Sequence, residues 1–283
     1  MSKCYGEGAF FNQVVRSYAT HIIAEKYNLN IEYQNEENIN KLGLILFKGT
    51  NLYSGENINV NDYNYFEILQ KEKLIHNITT NRYYQTKKIS DTIHDYLNKE
   101  YVMNKIIANN WFYKNRYNRN NDCFIHIRLG DVANWNPGFN YYDSILSSID
   151  YTNIFIATDS PEHQIIKDLK NKYKKIILFG DDIDINTNIT YQMFIKKLNN
   201  KDNNITYDTF FDKLIDIIKF GSTCKYVILS YGTFSAMIGY FSFYSQVYYK
   251  KFSKTHAWDW SKPDECDMFR DHSTKLGKWI EIP

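Results

Sequence analysis

The sequence is poor in cysteine, and this scarcity excludes several classes of protein. Its 283 residues include four cysteines, at positions 4, 123, 224 and 266, and none of them forms a Cys-x-x-Cys pair. No zinc-finger spacing is present, and a disulfide scaffold is not expected at this length, so we predict a reducing compartment. The N-terminus lacks a basic stretch followed by an apolar one. We therefore expect no signal peptide and a cytoplasmic protein.

An excess of charge is also missing. Lysine and arginine total 34 against 32 aspartates and glutamates, a net charge of +2, which argues against a nucleic-acid coat or a polybasic membrane binder. No Gly-x-x-x-x-Gly-Lys-Ser/Thr segment is present, which disfavours phosphoryl transfer. The uncharged stretch 226–249 contains many Ser, Thr and Gly residues, and it divides into a strand, a turn, a helix and a second strand. We therefore predict no transmembrane segment.

The first half of the chain alternates between strand and helix patterns. A short strand, a Gly6-x-Gly8 turn and a helix with apolar residues at three- and four-residue steps lead to a strand at 31–33. The run 42–47 is apolar and continues the alternation. We expect residues 50–85 to form loops with short strands only, and residues 87–107 to form one helix.

The second half gives a clearer α/β pattern. Strands are predicted at 123–127, 154–157, 176–179 and 226–229, with helices at 141–148, 162–172, 209–220 and from 233 onward. This alternation favours a doubly wound parallel sheet. The polar run 115–122 is a candidate hinge. We predict an N-terminal α/β domain at 1–120, a Rossmann-like domain at 121–250, and a tail at 251–283 that packs back towards the first domain.

One strand end carries an arginine, a residue type that is rare in this chain. The sequence His126-Ile127-Arg128-Leu129-Gly130-Asp131 follows a buried strand, and the chain has six arginines against 28 lysines. The period of two along a strand places His126 and Arg128 on one side and Leu129 on the other. A guanidinium at such a position suits phosphate oxygens. The alternative is an Arg–Asp pair that closes a turn, with His126 in the core.

Two other segments could bind a diphosphate. Residues 230–235 combine a strand end, a small-residue turn and a helix start, where backbone N–H groups and the hydroxyls of Thr233 and Ser235 can donate. A capped helix after a buried strand is the structural alternative. Asp182 and Asp184 form an Asp-x-Asp pair, which suits either a metal-bound diphosphate sugar or an acidic turn in solvent.

Together these segments resemble the alpha-1,2-fucosyltransferase family and, more distantly, the alpha-1,6- and protein O-fucosyltransferases. Gly6-x-Gly8-x-x-x-Asn12-Gln13 is similar to that family's opening Gly-x-Gly-Asn-Gln segment, with a longer gap before the Asn. The segment 126–131 matches the family's His-x-Arg-Arg-Gly-Asp motif except at Leu129. The segment 224–235 resembles a second motif of the family, Cys-x-x-x-Ile-x-Ser-Asn-Ser-Thr-Phe-Ser, and reads CKYVILSYGTFS in this chain. The resemblance extends from residue 4 to about residue 240, with 50–115 unmatched.

The resemblance implies a GT-B type α/β fold, with two Rossmann-like domains that face each other across a cleft. It implies inverting, metal-independent transfer of fucose from GDP-fucose to a glycan acceptor bound on the N-terminal side. The resemblance implies that Arg128 is catalytic and contacts the β-phosphate of the leaving GDP. Asp131 is our candidate for a general base on the acceptor hydroxyl, and the alternative is that it orients Arg128. The implied donor-binding residues are His126, Arg128, Asp159, Asp216, Gly232, Thr233, Phe234 and Ser235, and the N-terminal loop supplies Gly6, Gly8, Asn12 and Gln13.

Two other functions remain open at this point. A metal-dependent glycosyltransferase would use Asp182 and Asp184 to hold Mn²⁺ or Mg²⁺ on a different nucleotide sugar. A sugar-nucleotide or carbohydrate-binding module would keep the fold without turnover. Leu129, Tyr231-Gly232 and Ala236-Met237 are the positions at which the chain departs from the family motifs.

Overall fold

A computed structural model describes most of the chain as two compact units. The described residues are 1–6, 9–80, 82–110, 112, 116, 119–130, 133–174, 176–178, 207–251 and 267–283, with no side-chain description for 207–211. The predicted residues Gly8 and Asp131, and the Asp182/Asp184 pair, lie outside these ranges. The first unit contains the described residues of Met1–Asn109 together with Asp267 and Met268, and the second contains the described residues from Asn110 to Lys251 together with Phe269–Pro283.

The first unit is built on a four-stranded parallel sheet. Its strands are β1 (Ser2–Cys4), β2 (Ile31–Tyr33), β3 (Ile58–Val60) and β4 (Ile78–Thr80), arranged in the order β2-β1-β4-β3. All three strand pairs are parallel. Parallel pairing requires crossover connections, which the helices of this unit supply.

Five helices connect or flank these strands: α1 (Phe10–Tyr27), α2 (Glu36–Asn40), α3 (Tyr65–Gln70), α4 (Lys87–Leu97) and α5 (Glu100–Asn109). The longest, α1, ends at Asn28, whose left-handed backbone (φ 53°) lets its N–H donate to the carbonyl of Ala24. Helix α4 is capped by the residue before it, because the hydroxyl of Thr86 accepts from the N–H of Ile89 at 3.4 Å.

Three sequence-based predictions for this unit were wrong in detail. The apolar run 42–47 forms a turn and irregular backbone, because the side chains of Asn40 and His21 accept the N–H groups of Leu46 and Phe47 in place of a neighbouring strand. The region 50–85 contains two strands and a helix, and β4 lies inside the sheet. The predicted helix 87–107 is two helices, α4 and α5.

The second unit is built on a six-stranded parallel sheet. Its strands are β5 (Cys123–Ile127), β6 (Ile154–Thr158), β7 (Ile176–Leu178), β8 (Tyr226–Ile228), β9 (Gln246–Tyr249) and β10 (Lys278–Glu281), in the order β10-β9-β8-β5-β6-β7. Its helices are α6 (Phe139–Leu146), α7 (Gln164–Lys172), α8 (Tyr207–Gly221) and α9 (Thr233–Tyr240). The prediction of an α/β protein is confirmed, and both sheets are compatible with a Rossmann-like fold.

The central strand β5 alternates its side chains as predicted. Cys123, Ile125, Ile127 and Leu129 all belong to one buried apolar cluster that also contains residues of α6 and β6. The intervening residues, which include His126 and Arg128, therefore face the other side of the sheet. Both sides of β5 are buried, as expected for an inner parallel strand.

The end of the chain is part of the second sheet. Strand β10 pairs in parallel with β9 from Lys278 to Glu281. Of the predicted tail, Asp267 and Met268 belong to the first unit, where the N–H of Asp267 donates to the carbonyl of Gln85 at 3.1 Å. Among the helices that the structure describes, none is both long enough and apolar enough to cross a bilayer.

Arg116 is a structural arginine at the amino end of the second sheet. Its guanidinium lies 2.8 Å from the carboxylate of Asp122 and donates to Thr223 Oγ1 at 3.0 Å. It also stacks over the ring of Phe220, at 4.2 Å from the centroid. The hydrogen bonds and the ion pair compensate for the cost of burying the Arg116 guanidinium. Contacts within the protein are therefore sufficient to explain why this arginine is buried.

Candidate functional site

The strand order of the second sheet reverses between β5 and β8. From β5 the chain adds β6 and then β7 on one side, whereas β8, β9 and β10 lie on the other. The loops that follow two such strands leave the sheet in opposite directions, which opens a crevice at the carboxyl ends of the strands. The segments that the sequence singled out, 128–131 and 230–235, follow β5 and β8.

Arg128 lies against the start of α9. A Cβ atom placed on Gly232 would come within 3.7 Å of Arg128 Cδ and 3.8 Å of its Nη1, so the guanidinium lies across this glycine. Gly232 has a left-handed backbone (φ 103°), and it precedes α9 with no side chain capping the helix. A half-buried guanidinium therefore lies beside the positive end of a helix dipole.

Ser230 joins the two segments. Its Oγ accepts from the backbone N–H of Arg128 at 3.2 Å and lies 3.2 Å from Nδ1 of His126. The His126 ring packs edge-to-face on Phe234 with centroids 4.8 Å apart, and the residue is 5% exposed. Burial lowers the pKa of His126 to about 4, which keeps the ring neutral at pH 7. His126 is therefore a buried neutral ring held between Ser230 and Phe234, and its predicted contact with the donor stays a prediction.

Asp159 holds the loop that follows β5. Its carboxylate accepts from the N–H of Leu129 at 2.8 Å and from that of Gly130 at 3.1 and 3.2 Å. A Cβ on Gly130 would lie 3.0 Å from Oδ2 of Asp159, so glycine allows this close approach. The predicted nucleotide-binding aspartate is therefore engaged by backbone amides, and it fixes the path of the chain beyond Arg128.

Ser235 is fully buried in the first turn of α9. Its Oγ has no hydrogen-bond partner among the described residues. Leaving a buried hydroxyl unsatisfied typically costs about 1–3 kcal/mol. The sequence predicts that Thr233, Phe234 and Ser235 line one pocket. Thr233 and Phe234 are partly exposed, whereas Ser235 is buried.

Two further residues complete the description of this unit. Asp216 is 8% exposed and lies on α8, which packs against α9.

Asn136, which sequence reasoning missed, donates to the carbonyl of Arg128 at 3.0 Å and to the hydroxyl of Tyr142 at 2.9 Å. The sequence Asn136-Pro137-Gly138 is typical of a turn, and this pattern could have pointed to Asn136 as a residue that holds the Arg128 loop.

The predicted N-terminal loop residues belong to the first unit. The N–H of Gly6 donates to Gln34 Oε1 at 2.6 Å, and Gln85 Nε2 donates to Asn12 Oδ1 at 3.0 Å. Gln13 is 5% exposed and accepts from the side chain of Asn35. Asn12 and Gln13, in the first turn of α1, therefore each accept from a different side-chain amide.

Replacing Gly232 tests whether the backbone of this turn matters for ligand binding. In Gly232→Ala the new Cβ meets only ordinary contacts, so the cost comes from the positive φ and should lower the free energy of unfolding by about 1–3 kcal/mol. Gly55→Ala is the matched control, because Gly55 has φ 115° and no atom within 4 Å of its added Cβ. Chemical unfolding should show similar losses for both variants. The sequence resemblance predicts a nucleotide at this turn, so only Gly232→Ala should weaken GDP binding measured by calorimetry, and equal binding by the two variants would contradict that prediction.

No protein-family model and no curated protein sequence matches this chain. Within the described ranges, no group of three or more His, Cys, Asp or Glu side chains is arranged to hold a metal ion.

Proposed function

We propose that the chain is an inverting glycosyltransferase that binds a nucleoside diphosphate sugar at the β5/β8 crevice. The observation that carries this proposal is the placement of Arg128 across Gly232, beside the uncapped start of α9, where the strand order reverses. Two parallel sheets in two units are also what a GT-B glycosyltransferase would have. The sequence resemblance to alpha-1,2-fucosyltransferases favours GDP-fucose as the donor and a glycan hydroxyl as the acceptor.

The chemistry of the proposed reaction matches the charges at this crevice. When the bond between the sugar and the diphosphate breaks, positive charge develops on the sugar ring and negative charge on the departing diphosphate. A guanidinium and a helix N-terminus held in place before the reaction stabilise that negative charge more in the transition state than in the ground state. Thr233 and Phe234, in the first turn of α9, would contact the diphosphate and the sugar.

The surrounding residues would hold Arg128 in position. Ser230, Asp159 and Asn136 bind backbone atoms of residues 128–130, so the guanidinium extends from a loop that is clamped on several sides. Such support reduces the reorganisation required when the charge develops. Leu129, where the family motif has a second arginine, lies in the apolar core on the opposite side of β5. In this proposal Arg128 alone supplies the guanidinium from this strand.

A thermal-shift panel of nucleotides and nucleotide sugars tests the donor. We expect GDP and GDP-fucose to raise the melting temperature of the full chain in the presence of EDTA, because a ligand that binds only the native state stabilises it. At a ligand concentration one hundred times Kd the gain is about 2.7 kcal/mol. UDP-sugars and ADP serve as comparison ligands at the same concentration.

The other outcomes of this panel separate the alternatives. Stabilisation by UDP-sugars alone would overturn GDP-fucose as the donor. Stabilisation that requires Mn²⁺ and is lost with EDTA would favour the metal-dependent glycosyltransferase. Binding of GDP-fucose with no transfer to any of a broad panel of glycans would favour a binding module.

A further inference from the structure

Two consecutive tyrosines lie in the first turn of α6, directly after the loop that follows β5. Tyr141 and Tyr142 are 4% and 0% exposed, and both belong to the apolar cluster that contains Leu129. Burial raises the pKa of each hydroxyl well above the usual value of 10, so both stay protonated. Buried hydroxyl groups require hydrogen-bond partners, and here the partners lie on the two loops of the β5/β8 crevice.

The hydroxyl of Tyr142 holds the loop after β5. It accepts from Nδ2 of Asn136 at 2.9 Å, and the same nitrogen donates to the carbonyl of Arg128 at 3.0 Å. Oδ1 of Asn136 accepts from the N–H of Gly138 at 2.9 Å. Both N–H groups of the Asn136 amide are therefore engaged, which fixes its orientation between Tyr142 and Arg128.

The hydroxyl of Tyr141 holds the other side of the crevice. It donates to the carbonyls of Leu229, at 2.9 Å, and Tyr248, at 3.2 Å, which lie at the carboxyl ends of β8 and β9. Leu229 directly precedes Ser230, whose Oγ accepts from the N–H of Arg128 at 3.2 Å. Tyr141 therefore fixes the backbone from which the turn before α9 begins.

These contacts form a closed ring through the backbone of Arg128. Its N–H is bound by Ser230 and its carbonyl by Asn136, and the two arms of the ring end on adjacent residues of one helix. Adjacent helical residues point about 100° apart, so one helical turn can reach two loops. The rings of Tyr141 and Tyr142 also pack edge-to-face with centroids 5.0 Å apart, which holds them against each other.

We propose that Tyr141 and Tyr142, which we call the tyrosine brace, are positioning residues that fix the spacing between Arg128 and the start of α9. A diphosphate bound by both must bridge this spacing, and a misplacement of about 1 Å can lower a reaction rate by about 100-fold. Neither hydroxyl touches the ligand in this proposal. The inference deepens the proposed function and rests on it in one respect: the group that bridges the two loops would be the diphosphate of the donor.

Hydrogen exchange, followed by mass spectrometry on the full chain, tests the tyrosine brace without any nucleotide. Tyr142→Phe should speed exchange in peptides from 133–138, and Tyr141→Phe should speed it in peptides from 229–236. We expect a factor of about 2 to 10 in each, which corresponds to the loss of one hydrogen bond. Because phenylalanine keeps the buried ring, each substitution should loosen only the loop that the lost hydroxyl holds.

Tyr173→Phe is the matched control. The hydroxyl of Tyr173 also bonds to this helix, but at Asp143 and Ser147, towards its C-terminal end. This variant should leave exchange in both loops unchanged. With GDP-fucose and an acceptor, each brace variant should lower kcat by about 10- to 100-fold and change KM for the donor by less than about threefold, because the charge that the spacing serves develops in the transition state.

The possible results separate the tyrosine brace from the proposed function. Faster exchange confined to the expected loop in each variant, together with the loss of kcat, supports the brace. Exchange that is unchanged, or that rises equally throughout the unit, overturns it, and so does an unchanged kcat. If the exchange pattern is found but neither GDP nor GDP-fucose binds the wild-type chain, the proposed function fails and the brace stands as a feature of the crevice. Should Tyr142→Phe not fold, Asn136→Ala opens the same arm of the ring from a half-buried position.

Discussion

Arg128→Ala is expected to slow sugar transfer by about 100- to 1,000-fold, the usual loss when one preorganised donor to a developing anion is removed. The affinity for GDP should fall by about 10- to 150-fold, because the lost contact is a hydrogen bond to a charged group. The residue is half-buried at the crevice and not part of the apolar core, so the melting temperature without ligand should change little. Calorimetric titration with GDP, and release of GDP from GDP-fucose, measure the two effects.

Two matched variants make this test specific. Arg128→Lys keeps the positive charge but loses the planar pair of donors, so its GDP affinity should lie between those of the wild type and Arg128→Ala. Arg119→Ala removes an exposed arginine of the same unit and should leave GDP binding unchanged. An Arg128→Ala protein that binds GDP as tightly as the wild type would exclude this guanidinium as the phosphate ligand and, with it, the proposed transferase.

Strands β5 to β8 of the second sheet could be predicted from the sequence because their signals are local, whereas β10 lies in the segment predicted as a tail. Buried parallel strands give short apolar runs, and the polar residues that interrupt them mark the carboxyl ends. The period of two along β5 was sufficient to place Leu129 in the core and Arg128 on the opposite side, and the structure confirms this. The start of α9 after a small-residue turn was equally visible, because glycine at 232 permits the left-handed backbone found there.

In the first sheet, the strands β3 and β4 were the ones that the sequence did not place. β3 and β4 are too short to show a period, and their region is rich in asparagine. The apolar run 42–47 has the composition of a strand, yet side chains of α1 and α2 satisfy its backbone. The bond from Phe47 to His21 joins residues 26 positions apart, so no local pattern could show it.

The scarcity of arginine was an informative but incomplete signal. Of the six, Arg116 and Arg16 are buried among backbone and side-chain partners of their own units and serve the fold. Composition does not distinguish these from Arg128, because each is a rare guanidinium in a lysine-rich chain. What distinguishes them is the strand order, since Arg128 follows the strand at which the second sheet reverses. That order depends on pairings between strands about 100 residues apart, such as Ile125 with Ile228.

The folded protein should lose stability steeply between pH 6.5 and pH 4, because three buried histidines resist protonation. Burial lowers the pKa values of His21, His94 and His126 to about 4, from 6.5 in the unfolded chain. Within this window the unfolded chain binds protons that the folded chain does not, so the free energy of unfolding falls as the pH falls. Each histidine contributes about 3 kcal/mol over the full window, and this stability is fully present above pH 6.5.

Urea unfolding at several pH values, with one histidine removed at a time, tests the origin of this acid sensitivity. His94→Gln should reduce the slope of unfolding free energy against pH, near pH 5, by about 1.4 kcal/mol per pH unit, which corresponds to one proton. His76 is exposed, so His76→Gln should leave the slope unchanged. His126 connects this measurement to the proposed site, because protonation there would place a second charge beside Arg128 and disturb the contact with Ser230. Both the affinity for GDP and the free energy of unfolding should be measured near pH 5. If the loss of GDP affinity is fully explained by the loss of folded protein, then His126 acts only through the fold.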